Sequence, residues 1–277
     1  MITKEAIKSF REINRILVKA EDFIYILPHP ELRSWISNYT ITFPNKNMMS
    51  DNYTVIPHGS ATLVFSCNNK GIHGELFGTM TKPVIVGKKA NLCNIIFIVE
   101  FQPAGLSVLT GIKQKELIDK IVPFETINLE LNRLIVETLK TSDSINELIN
   151  NVNKLFLLNQ NNKCPNELQF SIKKIIDNIG NITVKELANE VFYSERQLNR
   201  IYEQYLGMNI KSFSRLVRVN KAIKLMYNPN NNVTDVCNLS GFYDLPHFIH
   251  DFKSVCGLTP QEYRHNMSDF YSEIAKF

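Results

Sequence analysis

The residues best suited to chemistry lie in one segment near the carboxyl end, GFYDLPHFIHDFKSVCGLTPQEYR, residues 241–264. His247 and His250 stand three residues apart and are followed by Asp251 and Cys256. Side chains three apart share one face of a helix, and histidine, aspartate and cysteine are all metal ligands. A cysteine beside a histidine is also the arrangement of a nucleophilic pair. Whether these residues carry out such chemistry or have only a structural role depends on the secondary-structure elements that contain them.

The chain after residue 165 has helical periodicity throughout, with start and stop signals at regular places. Thr183 and Glu186 form a capping box, and Ser194 and Gln197 form another that opens a helix ending at Gly207. The spacing then predicts a longer helix over about 211–227.

The same pattern follows a second time. Thr234 is predicted to cap the helix DVCNLSG, and Asp244 to cap LPHFIHDFKSVCG, with Pro246 in its first turn. A short helix, a turn and a second helix ending at glycine therefore occur at 183–207 and again at 234–257. Two helix–turn–helix units are predicted, joined by the longer helix.

A helix–turn–helix unit places its second helix in the major groove of DNA. In the first unit, Arg196, Asn199 and Arg200 lie on the face opposite Leu198 and Tyr202. Arginine pairs with guanine and asparagine with adenine, each through two hydrogen bonds. The alternative is that these are solvated surface residues.

In the second unit, the face opposite Phe248 and Phe252 presents Leu245, His247 and His250. Contact with DNA is favoured here over a solvated pair and over a metal site. Asp244 and Asp251 have structural uses, as an N-cap and a surface charge, and Cys256 is expected to pack inside. No third ligand is fixed by the spacing, so no metal or cofactor is predicted.

These residues resemble the DNA-binding domain of AraC/XylS-type transcription regulators over about 170–266. The resemblance is carried by SERQLNRIY followed by Gly207, by Arg218 and Ala222, and by the segment 241–264. It implies DNA contact by Arg196, Asn199 and Arg200 of the first recognition helix and by Leu245, Pro246, His247 and His250 of the second. Lys253 is a further predicted DNA contact, on phosphate. The second helix departs from the family at Leu245, Pro246 and His250, so the first is expected to contribute more specificity.

The first half is β-rich, with short apolar segments such as ATLVFSC and NIIFIVEF bounded by turn residues. The predicted fold is a two-domain α+β chain. Residues 1–158 form a barrel-like β-rich domain with trailing helices, 159–167 a polar linker, and 168–277 an all-α double helix–turn–helix domain. The first half resembles the sensory domains of such regulators, which implies an effector site or a dimerisation surface. Thr54, Leu63, Phe65, Phe97 and Val99 would line an effector cavity or simply fill the core.

Composition limits the classes of function. The net charge is only +4, so a positively charged surface that binds DNA must come from a local cluster of basic residues. One basic cluster, within 14 residues that contain no acid, consists of Lys211, Arg215, Arg218, Lys221 and Lys224. No apolar run approaches the ~18 residues that span a bilayer, so no membrane partner is expected and the cytoplasm is the default. Five widely spaced cysteines indicate buried thiols rather than disulfides.

The function that follows is a sequence-specific DNA-binding transcription regulator and not an enzyme. Its partners would be double-stranded DNA, RNA polymerase, a small-molecule effector and a second copy of the chain. The alternative is a DNA-targeted enzyme, such as a methyl-accepting repair protein with a catalytic cysteine in the first half. That alternative needs an activated thiolate, which Cys67 and Cys93 in apolar strands disfavour.

Overall fold

The structure is a computed structural model that describes residues 2–45, 49–160 and 164–271, with only the backbone described at 269–271. In these residues no helix combines the length and the apolar character needed to cross a membrane.

The amino-terminal domain is built from nine strands and five helices within its described residues. In chain order they are α1 (Glu5–Ser9), β1 (Ile16–Lys19), β2 (Phe23–Ile26), β3 (Ile36–Thr42), β4 (Thr54–Val55), β5 (Thr62–Asn68), β6 (Gly71–Phe77), β7 (Val84–Ile85), α2 (Gly87–Ala90), β8 (Ile95–Phe101), α3 (Gly105–Thr110), β9 (Ile121–Pro123), α4 (Leu129–Thr141) and α5 (Ile145–Leu158).

The carboxyl-terminal domain is helical except for one short strand. Its elements are α6 (Asn166–Asp177), α7 (Val184–Glu190), α8 (Glu195–Leu206), α9 (Ile210–Met226), α10 (Val233–Leu239), α11 (Leu245–Cys256), α12 (Pro260–His265) and β10 (Phe270–Tyr271).

A seven-stranded antiparallel sheet forms the centre of the first domain, in the order β1-β2-β3-β8-β5-β6-β9. Strands β1 and β9 stand at its two edges, so this sheet is open rather than closed into a barrel. The β-rich domain with trailing helices is otherwise as predicted. A second sheet, in the order β10-β4-β7, joins the last described strand to the amino-terminal domain.

One face of the large sheet is covered by α4 and α5. Because side chains alternate between faces along a strand, residues two apart in β5 and β8 point together into this core. Four of the predicted cavity residues lie here with no exposed surface: Leu63, Phe65, Phe97 and Val99. They pack in one cluster with Leu131, Ile135 and Phe156 of the two helices. Burial of each such side chain stabilises the fold by about 1.5–3 kcal/mol.

The two helix–turn–helix units have equal dimensions. Helices α7 and α10 have seven residues each, and α8 and α11 have twelve. Ser194 and Asp244 cap the second helix of each unit through their side chains, and Gly207 and Gly257 end those helices in the left-handed conformation. The predicted repeat is confirmed.

One predicted cap is wrong. The helix that contains Thr234 begins earlier, and its N-cap is Asn232, whose side chain accepts a hydrogen bond from the Asp235 N–H at 2.9 Å. Asp235 in turn accepts from the backbone N–H of Asn232, which completes a capping box. Thr234 therefore lies inside the first turn.

The two domains share an apolar cluster. Ile56, Ala104 and Val108 of the first domain pack with the core of the second. The side-chain amide of Asn220 in α9 donates to the carbonyl oxygen of Pro57 at 3.2 Å. Helix α5 ends at Leu158 and α6 begins at Asn166, so the predicted linker 159–167 includes the first residues of α6; residues 161–163 of it lie outside the described part.

Candidate nucleic-acid interface

Helix α8 has one fully buried face and an opposite face on which two arginines are exposed to solvent. Leu198 and Tyr202 have no exposed surface, and the Tyr202 hydroxyl is hydrogen-bonded to Ser171 of α6 at 2.9 Å. Arg196 and Arg200, four residues apart, are exposed on the opposite face. The local pattern of apolar and charged residues thus leaves two guanidinium groups exposed on one face of α8.

Asn199 is engaged within the protein. Its Oδ1 accepts a hydrogen bond from the backbone N–H of Ile210 at 3.1 Å, and its Nδ2 donates to the Glu195 carbonyl oxygen at 3.0 Å. Ile210 is the first residue of α9, where backbone N–H groups lack partners inside the helix. Asn199 therefore ties the first recognition helix to the start of the joining helix, and this bond competes with any contact to a base.

Helix α11 is packed through aromatic rings in edge-to-face contact. Phe248 and Phe252 lie 5.6 Å apart between ring centroids, Phe252 and Tyr263 lie 5.5 Å apart, and all three are fully buried. On the other side Pro246, His247, His250 and Lys253 are exposed, whereas Leu245 is partly buried against the core. The predicted contact face is thus open to solvent except at Leu245.

Asp251 is a buried acid and not the surface charge expected from the sequence. Only 2% of it is exposed. Its carboxylate lies 3.3 Å from the Arg215 Nε and 3.9 Å from an Arg218 guanidinium nitrogen, both on α9. His247 Nε2 at 3.5 Å and His250 Nδ1 at 3.4 Å flank it from its own helix. A buried carboxylate needs such partners, so this cluster joins α9 to the second recognition helix.

Arg218 has two further contacts. It donates to the Gly180 carbonyl oxygen at 2.7 Å, and its guanidinium lies 5.3 Å from the centroid of the Phe242 ring. Burial lowers the pKa of Arg218, and the nearby Asp251 opposes that shift. Arg218 thus fixes the position of α9 against the loop before α7 and the turn before α11.

A basic groove of about 490 Å³ lies where the two units meet. Its cationic lining residues are Lys185, Lys211, Arg215 and Arg218, and its acidic ones are Glu195 and Asp251. The buried hydroxyl of Ser214 also lines it and has no hydrogen-bond partner among the described residues. The basic cluster seen in the sequence supplies three of the four cations, while Lys185 was missed because it is isolated in the sequence.

Metal and cysteine chemistry were the alternatives for the segment 241–264, and the positions of these side chains bear on both. Among the described residues no group of three or more His, Cys, Asp or Glu side chains is arranged to hold a metal ion. All five cysteines are buried as free thiols, and burial raises the pKa of each, to about 11 for Cys67 and Cys164. A raised pKa lowers the fraction of thiolate, the form of cysteine that accepts a methyl group.

The cavity of the first domain lies on the sheet face opposite to the one predicted. It is lined by the residues of β5 and β8 whose side chains point to the other face of the sheet, among them Thr62, Val64, Ile98 and Glu100. Of the residues predicted to line a cavity, Leu63, Phe65, Phe97 and Val99 fill the core beneath α4 and α5, and Thr54 is buried in β4. The alternative interpretation, that such residues only fill the core, is confirmed for those four.

Comparisons with known proteins agree with this architecture. Residues 187–266 match the family described as a helix-turn-helix domain, and residues 25–123 match a domain of unknown function, DUF6597. The chain is 31% identical over 83 residues to the HTH-type transcriptional regulator ArgR of Pseudomonas aeruginosa. The aligned segment is 30% of this chain and 25% of that protein. It is 32% identical over 80 residues to the HTH-type transcriptional activator RhaR of Escherichia coli, covering 29% of this chain and 28% of that protein.

These matches span only about a quarter of the length of the relatives. Among solved structures, ToxT from Vibrio cholerae superposes with a TM-score of 0.42 at 12% identity, covering 78% of this chain and 95% of that one.

Proposed function

We propose that the chain, whose carboxyl-terminal domain is similar to that of AraC/XylS-type regulators, binds double-stranded DNA sequence-specifically and regulates transcription. One observation carries the proposal. Two helices of equal length, each on a helix–turn–helix unit, flank one basic groove. Two such helices can enter successive major grooves about 34 Å apart on one face of a duplex.

The residues divide into two kinds of contact. In this proposal Arg196 and Arg200 contact base edges, while Lys211 and Lys253 contact phosphate. The groove between the units would receive the sugar–phosphate backbone that separates the two major grooves, since its lining carries more cations than acids. Asn199 and Asp251 act on the two recognition helices from inside the protein, as positioning residues.

The amino-terminal domain would modulate this activity by population shift. The contacts of Ile56, Pro57 and Asn220 between the domains support that role. A regulator that acts on DNA belongs in the cytoplasm of a bacterial cell, which is the location we propose. RNA polymerase and a second copy of the chain stay predicted partners.

The test begins with selection of duplexes from a random pool by the purified full-length chain. Binding of the enriched duplex and of a scrambled one is then measured by fluorescence anisotropy. Arg196→Ala and Arg200→Ala should each reduce the preference for the enriched duplex about 5- to 150-fold, since a good two-bond contact contributes ~1–3 kcal/mol. Lys211→Ala should weaken both duplexes alike and lower the slope of log affinity against log salt by about 0.9.

The matched control is Lys173→Ala, which removes the same charge from an exposed position of α6 that does not line the groove. It should leave both affinities unchanged. Equal losses on the two duplexes for Arg196→Ala and Arg200→Ala would show that α8 does not read bases, and a pool without enrichment would contradict the proposal as a whole.

A further inference from the structure

The amino-terminal domain contains a cavity of about 340 Å³, within the range of small-molecule sites. Its floor is the face of the large sheet that α4 and α5 leave uncovered, where Val64 of β5 pairs with Ile98 of β8. Its opposite wall comes from the segments that contain β4 and β7, and includes Val55 and Val84. The cavity therefore lies between the large sheet and the second sheet.

Apolar side chains make up most of the lining. They include the aromatic residues Phe23, Tyr25, Phe43, Tyr53 and Phe77, and the aliphatic and methionine residues Met49, Val64, Met80, Ile96 and Ile98. Transfer of apolar ligand surface from water to such walls is favourable. An ion buried among them would lose its hydration without compensation. The walls thus favour an uncharged, mainly apolar molecule.

The charged side chains of the described lining are engaged within the protein. Lys89 contacts the two carboxylate oxygens of Glu75 at 2.6 and 2.5 Å. Glu100 Oε2 accepts a hydrogen bond from the Thr62 hydroxyl at 2.9 Å, and His58 Nε2 lies 4.0 Å from the same oxygen. The apolar walls, and not these groups, set the class of ligand.

One wall of the cavity is also in contact with the carboxyl-terminal domain. Val55 of β4 lines the cavity, and β4 pairs with β10 of that domain. Ile56 lines the cavity as well, and the next residue, Pro57, accepts the hydrogen bond from Asn220 of α9. The segment 54–57 thus connects the cavity to the helix that joins the two helix–turn–helix units.

We propose that this cavity binds an uncharged, mainly apolar small molecule between the two sheets. Occupancy of the site would then shift the segment 54–57 against α9 and β10 and change the affinity for DNA. This second step rests on the proposed function, whereas binding of the apolar molecule does not.

Three probes of one chain length separate charge from hydrophobicity: 1-octanol, octanoic acid and octylamine. Isothermal titration of the full-length chain at pH 7 without DNA should show binding of octanol. Octanoate and octylammonium should both bind on the order of tenfold more weakly, because each must leave water for apolar walls. Binding of either ion as tightly as octanol, or no binding of octanol, would overturn the proposal.

Substitutions in the floor assign the site. Ile98→Phe and Val64→Phe each add a ring to the floor and should abolish binding of octanol. The matched control is Ile85→Phe, since Ile85 of β7 is 67% exposed and does not line the cavity; this variant should bind octanol as before. Thermal melting shows which variants are folded. Unchanged octanol binding in a folded floor variant, or equal loss in the control, would contradict the proposal.

The DNA step is measured separately, as anisotropy of the enriched duplex with and without octanol. A change in affinity of about fivefold or more that disappears in Ile98→Phe supports the coupling. Octanol binding with no change in DNA affinity would overturn the coupling alone. Absence of DNA binding altogether would refute the proposed function and leave the ligand site standing.

Discussion

The side-chain amide of Asn220 in α9 donates a hydrogen bond to the carbonyl oxygen of Pro57 in the amino-terminal domain, over 3.2 Å. The same amide bonds the Leu216 carbonyl oxygen of its own helix at 2.9 Å. One side chain thereby connects the helix that joins both DNA-binding units to the wall of the cavity. Helix α9 is therefore hydrogen-bonded to the segment that contributes Ile56 and His58 to the lining of the cavity.

Asn220→Ala should lower the free energy of unfolding by about 1 kcal/mol, the usual cost of such a hydrogen bond. It should also shift the emission of Trp35, the single tryptophan, which packs against the shared apolar cluster. Asn231→Ala is the matched control, because the Asn231 amide bonds the Leu225 carbonyl oxygen within the second domain. The control should lose similar stability without a change in Trp35 emission; equal emission shifts in both variants would contradict a specific role at the interface.

Asp251→Asn should reduce the free energy of unfolding by about 2–3 kcal/mol. The carboxylate is buried beside Arg215 and Arg218, and removal of one partner leaves charge without compensation. Urea denaturation measures the loss. Asp177→Asn, which breaks the exposed pair with Lys173, should change stability by less than about 0.5 kcal/mol. Similar small effects of both substitutions would mean that the Asp251 cluster contributes little to the packing of α11.

Asn199→Ala should cost about 1 kcal/mol of stability, because the Ile210 N–H loses its acceptor. Affinity for enriched and scrambled duplexes should then fall together, since the recognition helix loses its support. Chemical denaturation and anisotropy test both points, with Asn189→Ala on the exposed side of α7 as the control. Unchanged stability with loss of the enriched duplex alone would restore Asn199 as a reader of adenine.

Phe192→Gly should stabilise the chain by up to about 1 kcal/mol. Phe192 is 95% exposed and has a φ of 57°, a left-handed conformation that side chains with a Cβ adopt at a cost. Gly241, with a φ of 78°, holds the equivalent place after α10. The same substitution at Phe170, inside α6, should destabilise the chain by about 1 kcal/mol. Thermal melting compares the two, and a lower melting temperature for Phe192→Gly would show that the exposed ring stabilises the fold.

The cysteines should resist alkylation by iodoacetamide at pH 8 in the native protein and react rapidly in urea, because burial raises the pKa of Cys67 and Cys164 to about 11. The same shifts give a pH dependence. These thiols stay neutral in the folded chain while the unfolded chain ionises them from about pH 9, so their contribution to stability is complete below pH 9 and is lost as the pH rises through 11. Mass spectrometry counts the labelled thiols, and rapid native labelling at pH 8 would contradict the burial.

Features set by near neighbours in the chain were predicted well. Ser194 and Asp244 each need only a backbone N–H three residues ahead, and Gly207 and Gly257 each need only the left-handed conformation at a helix end. The incorrect cap prediction at Thr234 also concerns a feature that is set by near neighbours in the chain. Asn232 and Asp235 also have the spacing of a capping box, and this box begins the helix in place of Thr234.

Features set by distant elements were not predictable. Asp251 acquires its arginines from α9, more than thirty residues earlier, so nothing local to the segment 241–264 indicates that it is buried. The strand alternation of β5 and β8 divides their residues correctly into two sets. It does not tell which set α4 and α5 will cover, and the cavity was therefore expected on the wrong face.

Strand β10 pairs with β4. The two domains are therefore joined twice, by the covalent chain after α5 and by main-chain hydrogen bonds near residue 270. Protease nicking between α5 and α6 should accordingly yield two bands on a denaturing gel that still elute as a single species on a sizing column.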